Sequence, residues 1–341
     1  MWLPARRHCC PHILNCHSKL APKKHYSWPP CDHRINQKPS RYTRGRRLRS
    51  LLADPQTHPE PLIRNISDTA RWVAVYRAQE TERPDALFRD PFARRLAGER
   101  GEQIARLMPL GGDNAWSMIT RTYLIDQFIT AELERGADMV INLAAGLDSR
   151  PYRMQLPPSL RWVEVDLPEI LDYKEQVLRD EKPMCTLERI RLDLSDVRGR
   201  RALFTRFGQS AKRALIITEG LMIYLTAEAV GELAADLAAP ATFHSWIVDI
   251  ASPGLLRMLR KRMASQLSQA APFKFAPEEG PRFFQRYGWK PVEVQSLLKN
   301  AARVKRLSFF LRLAALLPET EKSRRDRPWS GVCLLANDKS L

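Results

Sequence analysis

From residue 138 onward the chain alternates between short apolar runs and longer stretches with apolar residues at helical spacing. "MVINLA", "LRWVEVD", "LERIRLDL", "RALIITEG" and "FHSWIVDIA" read as five buried strands. Helical stretches at 168–180, 196–207 and 226–237 separate most of them. Strands alternating with helices predict a parallel sheet covered on both faces, so the fold class is α/β and doubly wound. The 70 or so residues before this region carry helical spacing only. "SDTARWVAVYRAQET" opens with Ser67 and Asp68 as N-caps, and Ala70, Val73, Ala74 and Arg77 follow at helical intervals. "RPDALFRDPFARRLAG" carries turn signals at Pro84 and Asp90-Pro91, then a short helix ended by Gly98. A long helix is predicted over 115–135, stopped by Gly136. After Ser252, "GLLRMLRKRMASQLSQ" interrupts the rhythm as a helical insertion. "PVEVQSLLKNA" reads as a helix, and "ARVKRLSF" and "WSGVCLLAN" as closing strands. The expected organisation is a basic extension at 1–60, a helical cap at 61–136, and an α/β domain at 137–341 with its insertion at about 254–287.

Composition changes this picture only at the N-terminus. The net charge is +17 over 341 residues, and residues 1–60 hold 12 Lys/Arg against three acids. Six of the seven histidines and four of the six cysteines also lie there. The extension reads as solvated and disordered. Its spacing fits no C-x2-C zinc pair, and its prolines break any amphipathic targeting helix. We expect it to be an upstream extension of the reading frame, which mapping the native N-terminus would test. No metal is expected. No apolar run reaches about 18 residues, so no membrane span is expected. Cys185 and Cys333 imply no disulfide framework, which fits a cytoplasmic protein. Neither a membrane nor a nucleic acid is expected as a partner, since the body has no aromatic-basic RNA motif. The oligomeric state is not legible.

Ligands of an open parallel sheet bind beyond the carboxyl ends of the strands. The first strand ends in Ala144-Ala145-Gly146-Leu147-Asp148, the second in Asp166, the third in Asp193-Leu194, and the fourth in Glu219-Gly220. Glycine or acid at four successive strand ends points to one cofactor crevice. Asp166 lies 20 residues after Gly146, a spacing that suits a ribose diol. Both NAD and S-adenosylmethionine carry one. The dinucleotide fingerprint G-x-G-x-x-G is represented by Ala144, Gly146 and Ser149, one glycine of three. Asp148 would also bring negative charge to a pyrophosphate. Acidic strand ends suit a phosphate-free, cationic cofactor better, which favours S-adenosylmethionine. An NAD(P)-dependent oxidoreductase is the alternative, and a non-catalytic cofactor-binding protein of the same fold is another.

"VINLAAGLDSRPYRM", "WVEVDLPEIL", "RLDLSD" and "LIITEGLMIYLT" resemble the S-adenosylmethionine-dependent leucine carboxyl methyltransferase superfamily. With "SDTARWVAVYRA" and "FRDPFARRLAG", they resemble its bacterial O-methyltransferase branch, from about Ser67 to Asn337. The resemblance implies a class I methyltransferase-like, mostly parallel seven-stranded sheet. It also implies transfer to a carboxylate or hydroxyl of a small-molecule acceptor. The family's Gly-x-Gly-x-Asp-Thr turn has Ala144 and Ser149 here in place of its first glycine and its threonine. By position, the resemblance implies that Arg121 binds the methionine carboxylate and Glu219 faces the amino group. It implies that Ala144, Gly146 and Asp148 form the first turn and Asp166 holds the ribose. Asp193 and Leu194 would flank the adenine, and Tyr224 would line the acceptor pocket. Arg150 and Arg153 have two readings, structural ion pairs or, for Arg150, an anionic substrate. Trp72, Trp116, Trp289, Phe283 and Phe284 are packed core residues or walls of an apolar acceptor site. His244 is the sole histidine after residue 60, which favours an acceptor oxygen that is already ionised.

Overall fold

The computed structural model describes Ile63 and residues 66–108, 111–263, 272–320 and 325–340. The chain divides into two units, Met1–His58 and Pro59–Leu341. The first, with the predictions made for the basic extension, lies outside the described residues.

Among the described residues three helices come first: α1 (Ile66–Thr81), α2 (Ala93–Leu107) and α3 (Gly111–Glu134). Seven strands follow among the described residues: β1 (Met139–Leu143), β2 (Arg161–Asp166), β3 (Thr186–Arg191), β4 (Ala214–Thr218), β5 (Phe243–Ala251), β6 (Trp289–Ser296) and β7 (Ser330–Asn337). They form one sheet in the order β3-β2-β1-β4-β5-β7-β6. The first five are mutually parallel, while β7 pairs antiparallel with both β5 and β6. The mostly parallel seven-stranded sheet that the family resemblance implies is therefore present. Its order reverses between β1 and β4, the kind of switch point where open α/β sheets bind ligands.

Strand periodicity sorts the core into two layers. Met139, Ile141 and Leu143 face α6 (Val197–Ser210) and α7 (Ala227–Ala238), packing with Phe204, Phe207, Leu233 and Leu237. Val140, with Trp162, Ile217 and Ile247, faces α3 through Leu124, Ile125, Phe128 and Ile129. β1 and β4 are buried along their whole length, as continuous apolar runs in a parallel sheet should be.

Several local predictions need correction. Helix α1 begins at Ile66, so Asp68 sits in its first turn rather than capping it. There it takes a two-toothed bond from Arg100 of α2, 2.7 and 2.8 Å. Gly98 does not end α2; it kinks it at φ 61°, a backbone state that glycine tolerates, and the helix resumes to Leu107. "PVEVQS" is strand β6, and the following helix α9 spans only Leu297–Arg303, with Ser296 capping it. Pro291 is accommodated because β6 is the sheet edge, with a register shift beside the proline. "ARVKRLSF" is no strand. Lys305 turns the chain at φ 59°, and Arg306 pairs with Glu80 and Asp85. Helix α10 (Phe309–Ala315) follows. The predicted insertion contains α8 (Pro253–Arg262), and residues 264–271 of it lie outside the described residues.

Candidate functional site

A cavity of 860 Å³ opens at the carboxyl ends of β1 to β5. Arg121, Ala144, Gly146, Asp148, Asp166, Asp193, Leu194, Glu219 and Tyr224 all line it. The topology explains the convergence, because each strand-end residue leaves the sheet on the same rim.

The β1 turn is sharply bent. Ala144 and Gly146 both take left-handed backbone angles, φ 52° and 47°. For alanine that conformation costs about 1–2 kcal/mol, so the turn stores strain at the position where the related motif has glycine. A Cβ added at Gly146 would sit 3.2 Å from the Ala70 Cβ of α1, so glycine is needed for approach as well as for angle. Asp166 secures the turn from β2. One carboxylate oxygen accepts from Gly146 N–H at 2.6 Å and the other from Leu167 N–H at 2.7 Å. Burial raises its pKa above the usual aspartate value despite those bonds. Both oxygens keep lone pairs for further donors.

Beneath the turn lies a chain of buried charges. Arg150, 1% exposed, opens the short helix α4 (Arg150–Arg153). Its guanidinium donates to Asp126 of α3 at 2.6 Å, Asp148 at 2.7 Å and Glu219 at 2.8 Å. Arg153 makes two bonds of 2.8 Å to the same Asp126. Both arginines are thus structural ion-pair residues. Arg150 also lines the cavity, and the acid that Arg153 meets, Asp126, comes from helix α3. Burial would raise the pKa of Asp148, but Arg150, Lys174 and Arg153 outweigh it and hold the group well below the usual range. Glu219 is likewise lowered: Arg150 and Arg121 outweigh the effect of burial. Asp148 also accepts from Asn142 at 2.8 Å, so its oxygens serve the turn.

Arg121 of α3 reaches Glu219 at 3.1 Å and Asp249 at 3.1 Å. Asp249 also accepts from Gly220 N–H at 2.6 Å, fixing the β4 turn against β5. The sequence reading stopped at four strand ends and missed this residue; its signal was a lone acid inside the apolar run "WIVDIA". Asp126 and Asn142 were missed too, since a helix acid and a strand amide carry no distinctive motif. Asp193 accepts from Ser195 N–H at 2.8 Å, and Leu194 adds its carbonyl to Arg200 at 2.9 Å. Asp90 of the "FRDPF" stretch braces the β1 turn from outside. It takes Ser149 Oγ at 2.6 Å and Arg77 at 2.8 Å, while Arg77 holds the Leu147 carbonyl at 2.6 Å.

Tyr224 lies in the short 3-10 turn Met222–Tyr224, its hydroxyl 3.5 Å from Thr69 Oγ1 and its ring against Phe273. Burial pushes its phenol pKa up. Trp72 and Trp116 line the cavity, whereas Trp289, Phe283 and Phe284 are packed in the core. His244 sits near the amino end of β5, beside Arg213, on the far side of the sheet from the cavity rim.

The residues fit S-adenosylmethionine. The turn keeps backbone close to the cavity at Gly146, Asp166 can accept from a diol, and acids dominate the strand ends, as a cationic ligand requires. Comparison with known proteins agrees. The model of the leucine carboxyl methyltransferase family matches residues 70–238. A candidate S-adenosyl-L-methionine-dependent methyltransferase of Frankia alni is 32% identical over 247 residues, covering 69% of this chain and 85% of that protein. One from Streptomyces avermitilis is 31% identical over 264 residues, covering 74% and 91%. The crystal structure of a DUF574-family protein from Streptomyces avermitilis shares the fold. Its TM-score is 0.50 at 13% identity, and the match covers 79% of this chain and 97% of that one. Similarity to relatives along most of their length, centred on the strands that build this rim, places the chain: it belongs to the leucine carboxyl methyltransferase family.

Proposed function

We propose that this S-adenosylmethionine-dependent methyltransferase methylates an oxygen that arrives already ionised, a carboxylate of a small-molecule acceptor. The cofactor supplies an electrophilic methyl group on a positively charged sulfur. Asp166 would accept from the ribose hydroxyls, and Asp193 and Leu194 would take the adenine edge and face. Glu219 would accept from the amino group. Arg121, whose Nη2 carries none of the bonds to Glu219 or Asp249, would take the carboxylate. Fixing donor and acceptor in line supplies most of what a direct displacement needs. When bound, the cofactor would supply both the methyl group and the neutral sulfide that leaves, and these residues would hold it facing the acceptor oxygen. With a carboxylate, no proton has to leave.

One observation carries the choice of acceptor. Three titratable groups at the donor end, Glu219, Asp148 and Tyr224, are poor bases at neutral pH. Glu219 and Asp148 are held below their usual values by arginines, and Tyr224 is kept neutral by burial. A hydroxyl acceptor would need a base within hydrogen-bond reach. Tyr224 can instead donate to the incoming oxygen. No helix among the described residues is long and apolar enough to cross a membrane. The buried cysteines Cys185 and Cys333 are in keeping with a cytoplasmic setting. Dinucleotide binding is disfavoured by Ala144 and by the Asp148 carboxylate under the turn. Calorimetry with S-adenosylmethionine and with NAD, followed by a labelled-methyl assay on carboxylates and phenols, tests this reading. Binding of the first cofactor alone and turnover of carboxylates alone is expected. Turnover of phenols with no carboxylate methylated would overturn the choice of acceptor.

A further inference from the structure

The cavity has a second half that the cofactor residues do not use. Asp193, Asp166 and Gly146 come from the ends of β3, β2 and β1, on one side of the switch point. On the other side, the segments leaving β4 and β5 and entering β7 supply a different wall. Its side chains include Met258, Leu259, Phe273, Phe275 and Trp329, joined across the cavity by Trp72 of α1. Four methionines, Met118, Met222, Met258 and Met263, contribute flexible, polarisable surface. The carboxylate of this wall, Glu319, is occupied by Ser296 Oγ at 2.6 Å and Trp329 Nε1 at 3.1 Å. Arg262 and Arg327 line the same side. Among the described residues neither guanidinium is paired with an acid.

We infer that the acceptor is a hydrophobic carboxylic acid whose apolar body fills this second half, with its carboxylate directed to the donor end; the inference rests on the methyl-transfer reading above. A sugar, nucleotide or peptide would bury polar groups against a wall that returns few hydrogen bonds, which is strongly unfavourable. A hydrocarbon or fused-ring body meets only matching surface. The charge of the acid is favoured by the two arginines on approach. A hydrophobic amine would meet those same cations unfavourably. The cavity volume of 860 Å³ lies in the upper part of the range for small-molecule sites, roughly 300–1,000 Å³, which leaves room for a cofactor and an acceptor together.

The test is calorimetry on the full chain saturated with S-adenosylhomocysteine. Decanoate, acetate and decyltrimethylammonium are titrated in turn, below their micelle concentrations. Decanoate is expected to bind at least about tenfold more tightly than acetate, since each buried methylene adds affinity. The ammonium compound is expected to bind far more weakly than decanoate. Leu259→Glu, which puts a charge into the apolar wall, should weaken decanoate about tenfold and leave S-adenosylhomocysteine affinity within about twofold. Leu259→Ala, a milder change, should move decanoate in the same direction if the glutamate variant fails to fold. Equal binding of acetate and decanoate would overturn the inference. So would equal binding of the ammonium compound, or decanoate binding untouched by the Leu259 variant that folds. Absence of S-adenosylhomocysteine binding would instead overturn the methyl-transfer reading, and this inference with it.

Discussion

The two halves of the cavity are built by opposite means. The half at β1 to β4 is polar and rigid: short turns, buried carboxylates and arginines, and backbone groups fixed to within hydrogen-bond distance. The half beyond β4 and β5 is apolar and assembled from segments far apart in sequence, with methionines and aromatics but few directed bonds. The difference matches what each half would have to recognise. A cofactor of fixed chemistry is met by fixed donors and acceptors. An acceptor peculiar to this protein is met by shape and apolar surface, which change readily while the fold stays the same.

The contrast can be broken most severely at Arg150. It donates to Asp126, Asp148 and Glu219 together, so Arg150→Met should leave the buried Asp148 without its arginine partner and strip one arginine bond from each of the other two. Unfolding free energy from urea titration should fall by about 3–5 kcal/mol. A loss under about 1 kcal/mol would mean that the ion-pair chain does not hold the polar half.

Asp166→Ala comes next. It removes the ribose acceptor and the brace on Gly146, and should lower S-adenosylmethionine affinity roughly 5- to 150-fold, about 1–3 kcal/mol. An unchanged dissociation constant in calorimetry would contradict its role.

Acid sensitivity separates the carboxylates within the polar half. Asp148 and Glu219 are held below their ordinary values of 3.8 and 4.5. Each therefore stabilises the fold above its unfolded-state pKa, and that contribution is lost as pH falls through its lowered folded value. Asp166 is raised, so it costs stability once pH exceeds its folded value, and protonating it removes that cost. Urea midpoints should thus fall as the solution is taken below the ordinary carboxylate range. In Asp166→Asn the fall should be steeper than in the wild type, because a compensating protonation has gone. An identical acid limb in the two proteins would contradict the opposite shifts.

The smallest effect is expected at Ala144. Ala144→Gly relieves left-handed strain of about 1–2 kcal/mol and gives back about 0.5–1 kcal/mol in unfolded-chain entropy. A net gain of about 0.5 kcal/mol in unfolding free energy is expected, and a loss would show that the turn is not strained.

The sequence made the polar half legible because its chemistry sits at fixed places in a repeating pattern. A buried parallel strand announces itself as an apolar run, and the residue after it must lie on the rim. That is why Gly146, Asp166, Asp193 and Glu219 were found together. Asp249 escaped because it lies inside its run, two residues before the strand ends at Ala251. The apolar half was not legible: Leu259, Phe273 and Trp329 look like core residues until the chain is folded. The same limit applies to β6. Its alternation over Val292 and Val294 runs directly into helix α9, and only pairing with β7 distinguishes an edge strand from the first turn of a helix.

The most direct test of the central proposal is the pH dependence of kcat/KM for methyl transfer to a hydrophobic carboxylate, followed with labelled methyl groups. A substrate that needs no base should give a flat profile from about pH 6 to 9. A profile that rises with an enzyme group titrating near neutrality would contradict it, since it would reveal a general base serving a protonated acceptor.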